Sequence, residues 1–483
     1  MSALIVIENL KRWDLHIPGA EVVSARDYLT NPRFSERRRA KVFNLCRNYS
    51  YQSLGYYVSL LAAARGHKPL PSVTTLQDLR TSAVVRVVAE DIEELIQRAF
   101  SSLKSDRFEL SVYFGRNMAK KYDRVARALF NHFPAPFLRA EFVKEEEWHL
   151  ENIRPIATSE IPETHREFVR EQATRYFSRP GARPPSEFRY DLAILVDSNE
   201  DDPPSDEKAI QKFTRAARSL GMDVTLIEKD DYGRLGEFDA LFIRETTQVS
   251  HHTYRFASRA EAEGLVVIDD PESIVRCTNK VYQAELFNRH GIPSPKTMIV
   301  HKDNVDMVGR TLGFPCVLKR PDTAFSTGVE KAENEEDLRR CLEHFLDDSD
   351  LVVAQEWTPS GFDWRVGVIA GRPLHVCQYH MARGHWQIQN NREEGWRKRY
   401  GRVTTLPYEK VPPEVIDLGV RAANLVGDGL YGVDIKDLGG RYVVMEVNDN
   451  PSIEAGYEDK VLKDSLYMSI MRVFYERLEK RGR

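Results

Sequence analysis

Cysteine is scarce: Cys46, Cys277, Cys316, Cys341 and Cys377 are the only five in a chain of 483 residues. The count is odd, and no C-x-x-C pair or close Cys/His cluster occurs, which argues against a disulfide framework and the usual zinc spacings. Such sparing use fits a reducing compartment. Long apolar runs are also missing. Ala3–Ile7 is too short for the core of a secretory signal, and nothing approaches the ~20 residues of a membrane span. Asn48-Tyr49-Ser50 matches a glycosylation sequon, but with no other sign of secretion it is set aside. Strong charge of one sign is absent too: the net charge is -4, which neither requires nor forbids nucleic acid. Residues 1–180 hold 28 Lys+Arg against 22 Asp+Glu, a bias that a solvated surface explains more simply than an acidic partner. The expectation is a cytoplasmic protein of about two to four domains, with no membrane or nucleic-acid partner.

What is present alternates strand and helix. Residues 1–180 read as an α/β domain with a weak chemical signature. Ala3–Ile7 and Phe108–Phe114 are expected strands; Gln52–Arg65, Ser72–Arg80, Asp91–Leu103, Met118–His132 and Glu160–Phe177 are expected helices. Asn48, Ser50, Gln52 and Tyr56 at a helix start can offer donors to an anion. A capped helix packed at a seam accounts for them better. Tyr113–Arg116 is an equally weak second contact point. Arg179–Ser186 (RPGARPPS) is too rich in proline and glycine for regular structure and marks a linker. Beyond it, Tyr190–Asp197, Asp223–Ile227, Ala240–Ile243 and Leu265–Ile268 are expected strands of a small parallel α/β domain. A helix from Ser205 to Leu220 is capped by Ser205 or Asp206. Arg244 follows a strand's C-terminal end, where such sheets place ligands, and so competes as an anion-binding residue with a plain surface ion pair.

The strongest signal lies in Gly432–Glu454 (GVDIKDLGGRYVVMEVNDNPSIE). Val433–Lys436 and Tyr442–Val447 read as hairpin arms around Leu438-Gly439-Gly440-Arg441. Period-2 geometry puts Glu446 and Asn448 on one face, with Asp434 opposite them. Two carboxylates and an amide oxygen suit a hard cation such as Mg2+ held with nucleotide phosphates, although an amphipathic hairpin with a wet face gives the same pattern. Lys280 opens a helix that ends at Gly291, and Lys319 ends the strand Pro315–Arg320. The small-residue loop Pro321–Val329 can cradle phosphates. No Walker A motif occurs. Gly427–Gly432 (GDGLYG) matches G-x-G-x-x-G but follows a helix and precedes a strand, the wrong order for a dinucleotide site, so it reads as a cap and turn. Leu351–Trp357 is a strand running into a polar hinge suited to adenine, Asp363 can take ribose hydroxyls, and Arg365 can meet a phosphoryl or carboxylate group.

Lys280 with GIPSP, then FPCVLKR, the STG loop, AQEW, GFDWR, GVDIK and MEVNDNPSIE follow the motif order of the ATP-grasp enzymes. They most resemble the RimK-type glutamate ligases over roughly residues 190–460. Residues 1–180 resemble the additional N-terminal domain of one RimK-like subgroup. The resemblance implies an α/β architecture in which an ATP-grasp domain of two α+β subdomains clasps ATP (276–483). A pre-ATP-grasp α/β domain (188–275) and the extra N-terminal α/β domain (1–180) would precede it. It further implies that Lys280 and Lys319 hold the phosphates beneath the Ser326-Thr327-Gly328 loop. Gln355, Glu356 and Trp357 would form the adenine hinge, and Asp363 would take the ribose. Asp434, Glu446 and Asn448 would bind one or two Mg2+ ions, with Mn2+ able to substitute. Arg365, Glu446 and Asn448 would serve catalysis, and Asn450 and Ser452 would line the acceptor side.

The implied activity is ATP-dependent ligation of a carboxylate to an amine through an acyl phosphate, adding an amino acid such as glutamate to an amino acid, peptide or protein. The family habit is a dimer or tetramer, and the N-terminal domain is a place for a protein partner. One departure stands out. Where RimK-type enzymes carry a basic pair and a second arginine motif, this chain has Gln378–Gln387 (QYHMARGHWQ), so the basic role passes to His380, Arg383 or Arg392, or the substrate differs. A nucleotide-binding regulatory protein and an ATP-grasp kinase are the competing readings.

Overall fold

The computed structural model describes residues 2–10, 17, 20–37, 40–177, 188–322, 328–382 and 401–481; the expected linker Arg179–Ser186 lies outside them. The chain divides into two compact units, one of Met1–Ala193 with Ile227–Asp239 and the other of Ile194–Leu226 with Ala240–Arg483. Among the described residues no helix is long and apolar enough to cross a membrane.

The first unit holds two sheets. Ser2–Ile7 pairs in parallel with Ala20–Ser24 on one side and Ala40–Asn44 on the other, and Lys68–Leu70 extends the edge. The expected strand near Phe108 runs Arg107–Tyr113, but its partners were not evident in the sequence. Phe137–Lys144 and Trp148–Pro155 complete an antiparallel three-stranded sheet. Their connection is Glu145-Glu146-Glu147, a charged tip without the Gly or Asn that signals a hairpin. The helix expected over Asp91–Leu103 runs Glu93–Phe100, and a further helix, Ser82–Asp91, precedes it across Ile92. Phe100 is fully buried and meets Phe108, Tyr122, Phe142 and Trp148 edge-on, with centroids 4.8–5.6 Å apart. These tilted aromatic contacts fix the sheet against the helices.

In the second unit, Ala240–Ile243 pairs in parallel with Val266–Ile268. Asp206 caps the helix Glu207–Ser219 by accepting from Ala209 N at 3.0 Å. Downstream come two α+β layers. The first is the antiparallel sheet Thr297–Val300, Val352–Glu356, Cys316–Lys319, Val329–Ala332, covered by the helix Glu335–Asp348. The second is the five-stranded sheet Val403–Leu406, Arg372–His380, Phe362–Ile369, Leu430–Asp437, Tyr442–Asp449, packed by the helix Pro413–Val426. GDGLYG sits between that helix and the strand Leu430–Asp437. At the hairpin tip Gly439 and Gly440 adopt φ of 73° and 93°, as a tight turn between twisted strands requires.

Candidate active site

The hairpin brings its polar residues together through a register irregularity. Asp434 lies opposite Glu446, whereas Ile435 lies opposite Val444, so Met445 is an extra residue on the return arm. A bulge of this kind re-aims the side chains beside it. Asn448 Nδ2 donates to Asp434 Oδ2 at 3.2 Å and to Glu446 Oε1 at 3.3 Å. On the neighbouring strand, Arg365 grips Asp434 with two hydrogen bonds, Nε to Oδ1 at 2.6 Å and Nη2 to Oδ2 at 2.7 Å. Burial pushes the Asp434 carboxyl up to about 6, with Glu446 adding to the rise and Arg365 opposing it. Burial also works against the Glu446 charge, yet Lys280, Lys319 and Arg365 together hold that carboxyl below its usual range. One face therefore keeps a paired aspartate and a strongly ionised glutamate side by side.

Facing Glu446 is a narrow slot lined by Lys280, Gln283, Lys319, Gln355 and Met445. Lys280 starts the helix Lys280–His290, which Asn279 caps at Tyr282 N, and its backbone N–H donates to Pro321 O at 2.8 Å. Lys319 ends the strand Cys316–Lys319. Burial pushes its ammonium down to about 8; Lys280 and Lys436 add to the drop while Glu446 opposes it. Gln355 is buried and donates to Thr297 Oγ1 at 3.0 Å, while its Oε1 has no partner among the described residues. The Glu356 carboxylate accepts from Lys296 N at 2.9 Å, and Lys331 Nζ sits 4.2 Å from the centre of a Trp357 ring. Asp363 accepts from Lys436 Nζ at 2.7 Å and from Ser360 at 2.8 Å. Ser326 and Thr327 lie outside the described residues. Gly328, which follows them, has φ of 66°, and a Cβ there would fall 2.9 Å from the Arg320 side chain.

On the other side of Glu446 opens a cavity of 390 Å³ that Lys280, Arg365, Asp434, His380 and Ser452 also line. Its far wall is acidic, with Asp202, Asp206, Glu454 and Glu458. Burial, with Glu458, Asp206 and Asp202 nearby, raises the Glu454 carboxyl to about 7. Tyr379 donates to Glu458 Oε1 at 2.5 Å and lies under the Arg365 guanidinium, 5.0 Å from its centre. Burial, helped by Arg402, lowers the His380 imidazole. Arg383 and Arg392 lie outside the described residues.

Two expected substrate residues are committed elsewhere. Arg244 is 1% exposed and does not line the cavity. Its guanidinium donates to Ser205 Oγ at 3.0 Å, Asn450 Oδ1 at 2.6 Å, Pro451 O at 2.9 Å and Pro204 O at 2.5 Å. It ties two loops together and is not presented to an anionic ligand. Asn450 reaches the cavity, but its amide is spent on Arg244 and on Glu245 O, to which Nδ2 donates at 2.7 Å. Glu454 and Glu458, in the loop after Pro451, and Tyr379, on the strand Arg372–His380, were not evident in the sequence, because that loop has no periodicity and only the folded chain brings it to the strand.

Two α+β layers holding a slot lined by Lys280, Lys319 and Glu446 define an enzyme of the ATP-grasp class. A family model described as the RimK-like ATP-grasp domain matches residues 277–464, and one described as the RimK-like ATPgrasp N-terminal domain matches residues 25–172. The alpha-aminoadipate–LysW ligase LysX of Saccharolobus solfataricus is 32% identical over 221 residues, 44% of this chain and 75% of that one. A probable alpha-L-glutamate ligase of Alcanivorax borkumensis is 28% identical over 231 residues, 47% of this chain and 73% of that one. Among solved structures, a RimK domain ATP-grasp protein from Sphaerobacter thermophilus aligns over 58% of this chain and 98% of that one, with 16% identity and a TM-score of 0.46. The chain belongs to the RimK-like ATP-grasp family. It is an ATP-dependent, ADP-forming carboxylate–amine ligase.

Proposed function

We propose that this ligase joins an amino acid to an amino acid, peptide or protein, with the nucleotide in the slot and the joining partners in the 390 Å³ cavity. The observation that carries the reading is that Lys280 and Glu446 line both spaces. A γ-phosphoryl group at that junction lies within reach of a carboxylate in the cavity. In the reaction a substrate carboxylate oxygen attacks the γ-phosphorus, the bond to the bridging oxygen breaks, and ADP leaves as an acyl phosphate forms. The amine then attacks the acyl carbon, phosphate departs with the original carboxylate oxygen, and a proton is lost from nitrogen.

Each side chain has a part in this scheme. Lys280 and Lys319 hold the phosphates. The Glu356 side chain is already engaged, so adenine meets the backbone of the Gln355–Trp357 hinge. Asp363 takes ribose hydroxyls in exchange for Ser360 or Lys436. Asp434, Glu446 and Asn448 fit Mg2+. The site is a hard-oxygen set, and a half-turn of the Asn448 amide replaces the NH2 now facing both carboxylates with its oxygen. Bound there, one or two ions would neutralise phosphate charge and polarise the reacting phosphoryl group. Arg365 reaches from Asp434 into the cavity, where its guanidinium can steady the substrate carboxylate or the acyl phosphate. His380 and Ser452 line the same space. The acidic wall suits the incoming ammonium, and Glu454 is set near neutral to accept its proton.

Relatives named for glutamate and alpha-aminoadipate ligation support an acidic amino acid as one reactant, and the relative named for LysW supports a protein as the other. The basic N-terminal unit is the natural place for such a partner to dock, and a homo-oligomer is the expected assembly.

The test is ADP release with Mg2+, ATP and pooled amino acids and acidic peptides, followed by mass spectrometry. A product equal to two pool members less water, absent with Glu446→Gln, supports the reading. A stable phosphate ester would indicate a kinase instead, and full activity of Glu446→Gln would sink the assignment of that residue.

A further inference from the structure

Behind the cavity wall, three metal-binding side chains converge that the ligation chemistry does not use. Glu245 follows the strand Ala240–Ile243, and His251 and His252 stand at the start of the helix His252–Ala262. One carboxylate oxygen and one nitrogen from each imidazole all lie within 4.8 Å of one another. His252 Nε2 is 2.6 Å from Glu245 Oε1, and the two imidazole centroids are 3.9 Å apart. Glu245 is only 3% exposed, and its Oε2 has no hydrogen-bond partner among the described residues. A buried carboxylate oxygen left without a donor is costly. The adjacent Arg244 does not relieve it, being spent on Ser205, Asn450 and the loop carbonyls.

We propose that Glu245, His251 and His252 form a binding site for a divalent transition metal of the zinc type. Two imidazoles and one carboxylate select borderline cations over Mg2+, which separates this site from the all-oxygen hairpin. Tetrahedral coordination with bonds of about 2.1 Å sets ligand atoms roughly 3.4 Å apart. That value falls between the 2.6 Å contact and the 4.8 Å limit seen here, so side-chain rotation reaches it. A fourth position stays open to water. The metal would act on position, not on the reaction. Glu245 O accepts from Asn450 Nδ2, and Thr247 Oγ1 donates to Asp449 Oδ2 at 2.7 Å, so fixing Glu245 fixes the wall that carries both partners.

The experiment is a calorimetric titration of Zn2+ into the untagged full chain, with excess Mg2+ occupying hard-oxygen sites. His251→Gln/His252→Gln and the milder His251→Gln are run in parallel, and urea transitions verify that each variant folds. The expected result is one equivalent bound by the wild type, lost in the double variant and weakened at least about tenfold in the single one. Wild type loaded with Co2+ should show the strong visible absorption of a tetrahedral site, and the folded variants should not. No zinc bound by the wild type, or equal binding in wild type and a folded variant, overturns the proposal.

Discussion

Lys319 carries a charge that the fold resists and the nucleotide needs. Its ammonium is pushed from 10.5 down to about 8, first by burial and then by Lys280 and Lys436. The gap between 10.5 and about 8, at about 1.36 kcal/mol for each tenfold step, is worth roughly 3 kcal/mol. That is an upper value, because the residue keeps some exposure. Between pH 8 and 10.5 the unfolded chain still holds a proton that the folded chain has released. The nucleotide-free protein therefore gains stability from this group as pH rises through that window. ATP binding should run the other way. It draws on the charged ammonium, so affinity falls by up to about tenfold per unit above the folded pKa, and binding takes up a proton.

Lys319→Met removes both trends. At neutral pH the variant should resist urea at least as well as the wild type, since Glu446 keeps Lys280 and Arg365 as partners. Its ATP turnover should drop on the order of 100-fold or more. Urea unfolding without nucleotide, paired with calorimetric ATP titrations across the same pH range, reads both quantities. ATP affinity that stays flat across the window, or Lys319→Met turning over ATP at the wild-type rate, would refute the reasoning.

Arg244→Leu strips a buried guanidinium from four acceptors and should cost about 3–5 kcal/mol, seen as an earlier urea midpoint. A substrate-binding role would instead raise KM with stability unchanged. Glu454→Gln should lower kcat about 100-fold and remove an acid limb near pH 7, below which the wild type loses activity as the base protonates. An unaltered pH–rate profile would assign the proton to another group. In the N-terminal unit, Phe100→Ala empties the centre of the aromatic cluster and should destabilise by about 3–5 kcal/mol in urea unfolding monitored in that unit.

What the sequence makes legible is local. Alternation in Leu430–Asp437 and Tyr442–Asp449, with Gly439-Gly440 between them, identifies the hairpin because strand period and turn chemistry agree there. Asp206 is one of the two caps its helix offers, and GDGLYG is recognisable as a turn from what precedes it. The bulge at Met445 leaves no mark in the pattern, because a single extra residue is invisible until register is known. The strands Phe137–Lys144 and Trp148–Pro155 hide behind a triple-glutamate tip. Arg244 is opaque in the sequence for a different reason. Its position after a strand fits a ligand site, but its partners include Asn450 and Pro451, some two hundred residues away, and no local rule anticipates them. The acidic cavity wall is assembled in the same long-range way.

The central claim is that a carboxylate is activated by phosphorylation at the junction lined by Lys280 and Glu446, and then captured by an amine. Transfer of a heavy-oxygen label tests it most directly. The reactant whose carboxylate enters the amide found in the pooled assay is labelled in that carboxylate and turned over with ATP, and the released phosphate is weighed. One labelled oxygen per phosphate, in step with amide formation and absent with Glu446→Gln, is the predicted result. Amide formed with unlabelled phosphate would contradict an acyl-phosphate route.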